Sequence, residues 1–289
     1  MSKTSMHRLV PGLLLAAQLV TAPPCFANQI VSTESDDWSD VGHEQQEPEP
    51  QYRRFYASVG FGFDFSTGDY GEPEDTDYWS FPAFAKLEYD PVTLKVSIPY
   101  SVIDGADEFV VGDNDVVSAT GSSTRHGFGD IVTSLTYSWY PEEEILPIVD
   151  LRVKAKIPTA SEGDDIGTGE TDITLGFELA ESFGPITAFG GASYRFKGGR
   201  PDDIWLATVG ANVRFAKLIP GLPAARRLSI GTAYDYRQSS SDFAEDSHEV
   251  AVFSSYRFDS HRRLSPYAVF GLSENAPDWG LGATFTYQF

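Results

Sequence analysis

Charged side chains in this chain recur at every second position, and that spacing decides what chemistry they can do. In VDLRVKAKI (149–157), Asp150, Arg152, Lys154 and Lys156 alternate with Val149, Leu151, Val153, Ala155 and Ile157. The same parity collects Lys86 with Glu88, Asp172 with Glu178, Arg195 with Lys197, Asp235 with Arg237, and Glu249 with Arg257. Lys95, Asp130 and Arg214 fall on such rows as well. Rows of this kind can pair with one another, fix a register, or line a path for ions. They suit hydrolysis poorly, because a nucleophile needs a base within hydrogen-bond reach. His126 and His248 are the histidines near the alternating segments, and neither lies in a His-x-Ser-Asn-Gly setting. Asp164-Asp165 and Asp202-Asp203 sit among turn residues without a histidine partner and read as solvated charge. Zinc-type spacing and cofactor motifs are missing. The expectation is a chain without catalytic residues, cofactor or metal.

Such rows must be carried by strands. From residue 54 onward the sequence is a series of runs of about ten residues with period-two alternation, separated by turn clusters. In RFYASVGFGFDFS, Phe55, Ala57, Val59, Phe61, Phe63 and Phe65 share one face, while Tyr56, Ser58, Gly60, Gly62 and Asp64 share the other. Trp79, Phe81, Ala83, Ala85 and Leu87 oppose Ser80, Lys86 and Glu88. Ile173, Leu175, Phe177 and Leu179 oppose Asp172, Thr174 and Glu178. The final run, GATFTYQF, sets Ala283, Phe285, Tyr287 and Phe289 against Gly282, Thr284, Thr286 and Gln288. LSPYAVFGL (264–272) alternates badly, and its faces cannot be assigned from sequence. The count is about twelve strands.

The ends and the bulk composition narrow the setting. MSKTSMHRLVPGLLLAAQLVTAPPCFA has a cationic start (Lys3, Arg8), an apolar core and small residues up to Ala27, which predicts a signal peptide over 1–27 cut near Ala27. Cys25, the single cysteine, lies within it, so disulfides cannot hold the mature chain. Residues 28–53 are acidic, poor in apolar residues and rich in proline toward their end; they read as a disordered periplasmic arm with Trp38 as a conceivable anchor. Residues 54–289 would form the folded body. A net charge of −21 argues against nucleic acid as a partner.

A secreted β-sandwich also alternates, but a second sheet shields its apolar face. Here Trp79, Tyr100, Tyr137, Trp139, Trp205 and Tyr236 crowd the ends of the apolar faces as interfacial girdles would. Long connections (66–76, 104–125, 158–170) alternate with short ones (90–91, 141–144, 182–185, 259–262), with LIPGLPAARR (218–227) as the exception, the arrangement of long outer loops and short periplasmic turns. In lipid every backbone group needs a partner, so the sheet must close, the last strand pairing with the first. The fold expectation is all-β: a membrane-spanning, antiparallel, up-and-down β-barrel in the outer membrane.

Two stretches go beyond this pattern. RHGFGDIVTSLTYSW (125–139) and VKAKIPTASEGDDIGTGETDITLGFEL (153–179) combine a GFGD start, a K-x-P-T strand end and a GTG-x-x-D return. They resemble the meta-pathway phenol-degradation family of outer-membrane transporters. The resemblance implies a barrel that passes hydrophobic or aromatic small molecules. The terminal Phe285, Tyr287 and Phe289 look like the signal read by the barrel-assembly machinery. Gly127, Gly129, Gly167 and Gly169 are expected to serve tight turns and bends.

The residues expected to line the lumen are Lys86, Lys95, Asp130, Arg152, Lys154, Lys156, Glu178, Arg195, Arg214, Arg237 and Arg257. Each could equally be part of a salt-bridge belt that fills the barrel. The leading functional expectation is passive uptake of hydrophobic or aromatic solutes. A Lys/Arg-lined porin preferring anions is the alternative, and a barrel-embedded hydrolase is third. Membrane lipid and lipopolysaccharide are expected neighbours, the latter bridged to the acidic outer loops by divalent cations.

Overall fold

Strict alternation gives each run one face of large apolar side chains and one of small or charged ones, and the computed structural model closes these runs into a ring. It describes residues 55–70, 75–105, 108–111, 115–118, 124–141, 146–161, 166–199, 202–215, 227–240 and 245–289. The expected signal peptide, the acidic arm with Trp38, and Asp164-Asp165 lie outside the described residues.

The strands are β1 (Phe55–Gly68), β2 (Thr76–Tyr89), β3 (Val92–Asp104), β4 (Glu108–Val111), β5 (Asp115–Ser118), β6 (Arg125–Phe128), β7 (Ile131–Trp139), β8 (Ile148–Ile157), β9 (Asp172–Phe183) and β10 (Ile186–Phe196), followed by β11 (Ile204–Arg214), β12 (Leu228–Arg237), β13 (Ser247–Arg257), β14 (Arg262–Gly271) and β15 (Trp279–Gln288). All but β4 and β5 belong to one antiparallel sheet, in which sequence neighbours pair and β1 pairs with both β2 and β15. β6 and β7 follow each other along the same side of β3, so the sheet has twelve staves. β4 and β5 form a separate hairpin within the long connection after β3.

Closure runs through registers such as Phe61↔Phe285 and Asp64↔Gly282. Beyond the last strand, the Phe289 N–H still donates to the Ala57 carbonyl at 2.9 Å. The terminal strand therefore has no open edge.

Exposure separates the two faces. Phe61 is 63 % exposed, Val209 59 % and Trp205 54 %, whereas Ser66 and Arg195 on the inner face are each 1 % exposed. An apolar outer surface of this extent would aggregate in water, but it matches the lipid-facing band of a transmembrane barrel. None of the described helices is long and apolar enough to cross a membrane; crossing is by strands. β14, whose faces the sequence left open, turns Ser265, Tyr267 and Val269 inward and Pro266 and Phe270 outward. Its pattern was obscured because two of its inward side chains are apolar.

The break between β6 and β7 has a backbone cause. Pro99 lacks an N–H to donate at the level where β3 changes partner from β7 to β6. The Gly129 N–H still reaches the Pro99 carbonyl at 2.9 Å. Gly129 and Asp130 are thus released from the ladder, and the Asp130 side chain becomes free for other work.

Candidate functional site: the barrel lumen

The inner face divides into two arcs. The charged arc centres on β2, β3 and β7–β9. Lys86 pairs with Glu88 at 3.0 Å on β2. Arg152 on β8 donates to the Thr136 hydroxyl at 3.2 Å and pairs with Glu178 at 3.2 Å, tying β7, β8 and β9 together. Arg195 donates to the Thr174 hydroxyl at 3.3 Å. Asp150, Arg152, Lys154, Thr174, Gly176, Glu178 and Ser193, with Phe177 and Ala192, line a small, partly open recess.

Lys86, Lys95, Asp130, Lys154, Lys156, Glu178, Arg195 and Arg214 are all buried on the inner face. Arg152, Arg237 and Arg257 are half-buried there. Arg237 lies 4.0 Å from Glu249 and donates to the Asn275 carbonyl at 3.3 Å. Asp235 accepts a 2.5 Å hydrogen bond from Thr208. Lys197 lies just past the end of β10, its backbone N–H bonded to Asp203 at 2.9 Å.

The second arc runs over β9–β14 and is apolar at mid-depth. Ala180, Phe189, Ala233, Ala251, Phe253, Tyr267 and Val269 form one buried cluster. All point inward, by the same parity as Arg195 on β10 and Glu249 on β13. The rings lie along the wall, each covering a glycine of the adjacent strand: Phe189 over Gly210, Phe253 over Gly231, Tyr267 over Gly282. Phe84 covers Gly60 in the same way, and the Lys95 ammonium sits 4.6 Å from the Phe84 ring centre. A Cβ at any of these glycines would overlap the ring and approach a neighbouring carbonyl, 2.6 Å away at Gly60, Gly210 and Gly282. The absent side chain is the seat of the ring. The Tyr267 hydroxyl then reaches across β15 and donates to Asp64 on β1. Sequence reasoning missed Phe84, Phe189, Phe253 and Tyr267 as inner-face residues because it expected inward positions to be polar; parity alone would have found the first three.

At the end carrying the long loops, extracellular by the loop-length rule, the motif residues meet. Asp130 accepts the N–H groups of Thr159 and Ala160 at 2.9 and 3.0 Å. The Thr159 hydroxyl accepts the Ile131 N–H at 2.9 Å. Lys156 lies between Asp130 at 3.6 Å and Asp172 at 3.4 Å, and donates to the Thr168 hydroxyl at 2.7 Å. Asp172 also accepts the Gly198 N–H at 2.8 Å.

Gly169, with φ +71°, occupies a turn as expected. Gly167 lies at a bend as well, and its backbone, like that of Gly129, is held close to other groups. A Cβ at Gly167 would lie 2.6 Å from the Ala160 Cβ and 3.0 Å from Asp130 Oδ1, and one at Gly129 would lie 2.9 Å from Pro99 Cγ. Gly127 continues β6 on the inner face.

His126 and His248 are on the outer face near the same end. Tyr100 bonds His126 Nδ1 at 3.2 Å and Tyr234 bonds His248 Nδ1 at 2.7 Å. Ser273 Oγ accepts the His248 backbone N–H at 3.0 Å and is not bonded to the ring. Among the described residues no group of acids, histidines or cysteines could hold a metal ion.

Comparison with known proteins agrees with this architecture. The COG4313 outer membrane channel from Pseudomonas putida F1 superposes with a TM-score of 0.61 at 15 % identity, over 85 % of this chain and 100 % of that one. The translocator domain of the autotransporter NalP from Neisseria meningitidis gives 0.50 at 9 % identity, over 83 % and 90 %. A KdgM porin gives 0.45 at 9 % identity, over 80 % and 99 %. At these identities the first two likenesses establish the fold, an outer-membrane β-barrel. No curated protein matches the sequence. The family described as "Putative MetA-pathway of phenol degradation" matches residues 92–289, which contain the whole Asp130–Lys156–Asp172 constellation, and the chain belongs to that family.

Proposed function

We propose that the protein is a passive outer-membrane channel for small hydrophobic or aromatic molecules. The observation that carries this reading is the apolar arc inside the barrel. A wall built only for water and ions would be polar throughout, whereas here Phe189, Phe253, Tyr267 and Val269 form a continuous buried apolar cluster across the staves. The rings pack against glycines and are 4–7 % exposed, so they give the wall its apolar character while presenting little area to the bore. The facing arc supplies hydroxyl, ammonium and carboxylate groups for a solute's polar substituent. The buried state of nearly all inner side chains means a narrow path.

A second reading is favoured by a separate observation. Toward the end with short turns, the inner face carries Lys86, Lys95, Arg214, Arg257 and Arg263 against Glu88 and Asp150, an excess of cations that would favour anions. The aromatic residues Phe285, Tyr287 and Phe289 on the last strand are suited to recognition by the assembly machinery, and the outward girdle to contact with lipid and lipopolysaccharide.

Uptake of toluene by intact cells producing the protein tests the first reading. It predicts faster uptake than in cells lacking the protein at equal external concentration; equal rates would remove it. Reversal potentials of refolded protein in planar bilayers test the second. Chloride preference that declines in Arg214→Ala plus Arg257→Ala supports an anion porin, and cation preference rules it out.

A further inference from the structure

The residues of the GFGD, K-x-P-T and GTG-x-x-D motifs gather at the extracellular end of the charged arc, so passage at mid-depth does not account for them. They build a clasp. Pro158–Ser161, which leaves β8, is held by Asp130 through the Thr159 and Ala160 N–H groups. Ile166–Thr171, which returns to β9, is held by Lys156 through the Thr168 hydroxyl at 2.7 Å. Lys156 itself is shared between Asp130 and Asp172, and all three side chains are only 4 % exposed. The buried cation is held by the charge of two carboxylates and by one short hydrogen bond to a hydroxyl. It fixes the returning segment at the extracellular end of the lumen.

What the clasp positions is Ile166. This residue belongs to no strand, yet it is 3 % exposed and forms a buried cluster with Tyr70, Tyr78 and Ile103. Tyr78 and Ile103 face inward from the top of β2 and β3, and Tyr70 follows the end of β1. Gly129 lies beside it: a Cβ there would stand 3.8 Å from Ile166 Cγ2, an ordinary contact distance. The tyrosine hydroxyls are turned to partners of their own, Tyr70 to Ser66 at 2.6 Å and Tyr78 to Ser101 at 3.1 Å. The seat of Ile166 is thus lined by ring faces and methyl groups, with its polar atoms already satisfied. An ion could enter only by shedding water without replacement. An apolar solute of similar size would exchange one apolar contact for another.

We propose that the seat of Ile166 between Tyr70, Tyr78 and Ile103 is a binding site for neutral apolar solutes of about one ring, and that such a solute opens the channel by displacing Ile166. This deepens the channel reading above and rests on it. Ile166 acts as the resident occupant, and the Lys156 clasp sets how tightly it is held. Ions are excluded while Ile166 is seated.

Current through refolded, full-length mature protein in planar bilayers, with and without toluene, tests this; protein-free bilayers are the control, and heat-modifiable gel mobility confirms folding. Wild type should show little basal ion current and a rise on adding toluene. Ile166→Ala should show a raised basal current that toluene no longer increases. Thr168→Val, which removes one clasp contact and leaves the seat intact, should raise the basal current and keep the response at lower toluene concentration. Wild-type basal current and wild-type toluene response in folded Ile166→Ala would overturn the proposal. So would a raised basal current in Ile166→Ala alongside a wild type indifferent to toluene, because the plug would then have no such ligand. Toluene uptake by cells producing wild type, together with either of those results, leaves the channel standing without this site. Absence of uptake in cells with wild type and with Ile166→Ala alike removes the channel reading and the site with it.

Discussion

The two arcs of the inner wall solve the same packing problem in opposite ways. On β7–β9 the inward side chains are long and charged, and they fill space by pairing across strands, as in Arg152–Glu178 and Lys156 between Asp130 and Asp172. On β10–β14 they are rings seated on glycines, as in Phe189 on Gly210 and Phe253 on Gly231. The first solution depends on partners of opposite charge and tolerates little deletion. The second depends on the absence of a Cβ and tolerates little addition. Under the proposed function, a solute passing between them would meet apolar side chains on one side and hydrogen-bonding groups on the other, and the contrast would then set selectivity.

The contrast can be broken from either side. Lys156→Met should have the largest effect, because it leaves Asp130 and Asp172 buried without their shared cation; removing one partner of a buried pair costs about 3–5 kcal/mol. Urea unfolding of the detergent-solubilised barrel, followed by tryptophan fluorescence, would measure it. Gly231→Ala places a methyl group where the Phe253 ring lies and 2.7 Å from the Ala211 carbonyl. The overpacking should cost about 1–3 kcal/mol, and Phe253→Ala in the same chain should recover part of it, a coupling that a double-mutant cycle reads. Tyr267→Phe removes the hydroxyl that donates to Asp64. Leaving that buried acceptor unpaired should cost about 1–3 kcal/mol, with the midpoint lowered and the denaturant slope unchanged.

The smallest effect belongs to the periplasmic turn, away from both arcs. Asp259 accepts from the Arg262 side chain at 2.6 Å and from the His261 and Arg262 N–H groups. Its carboxyl is held down to about 2 from 3.8, by the Arg262 hydrogen bond first and the His261 N–H next. A depressed value stabilises the fold above the ordinary carboxylate range and loses that contribution as pH falls toward 2. Thermal scans from pH 5 to pH 2 should show a slightly smaller acid loss in Asp259→Asn; an equal loss would remove the turn from the account.

Most of the barrel was legible in the sequence because a closed sheet in lipid imposes period two on both faces at once. The parity of VDLRVKAKI alone places Arg152, Lys154 and Lys156 inside, and closure follows from the final aromatic strand. Three features were hidden. β14 was unreadable because Tyr267 and Val269 are apolar and face in. The ring-on-glycine seats depend on register between strands, which no single strand encodes. The roles of Gly129 and Gly167 depend on Pro99 breaking the ladder and on Asp130 folding toward Thr159, contacts made across about thirty positions of chain.

The account stands most directly on the apolar arc, and one comparison isolates it. Uptake of toluene and of benzoate should be measured in cells producing wild type and in cells producing Phe189→Ser plus Phe253→Ser at equal levels of folded barrel. The account predicts that toluene uptake falls in the variant while benzoate uptake changes little. Toluene uptake that stays at the wild-type rate while benzoate uptake falls would contradict it.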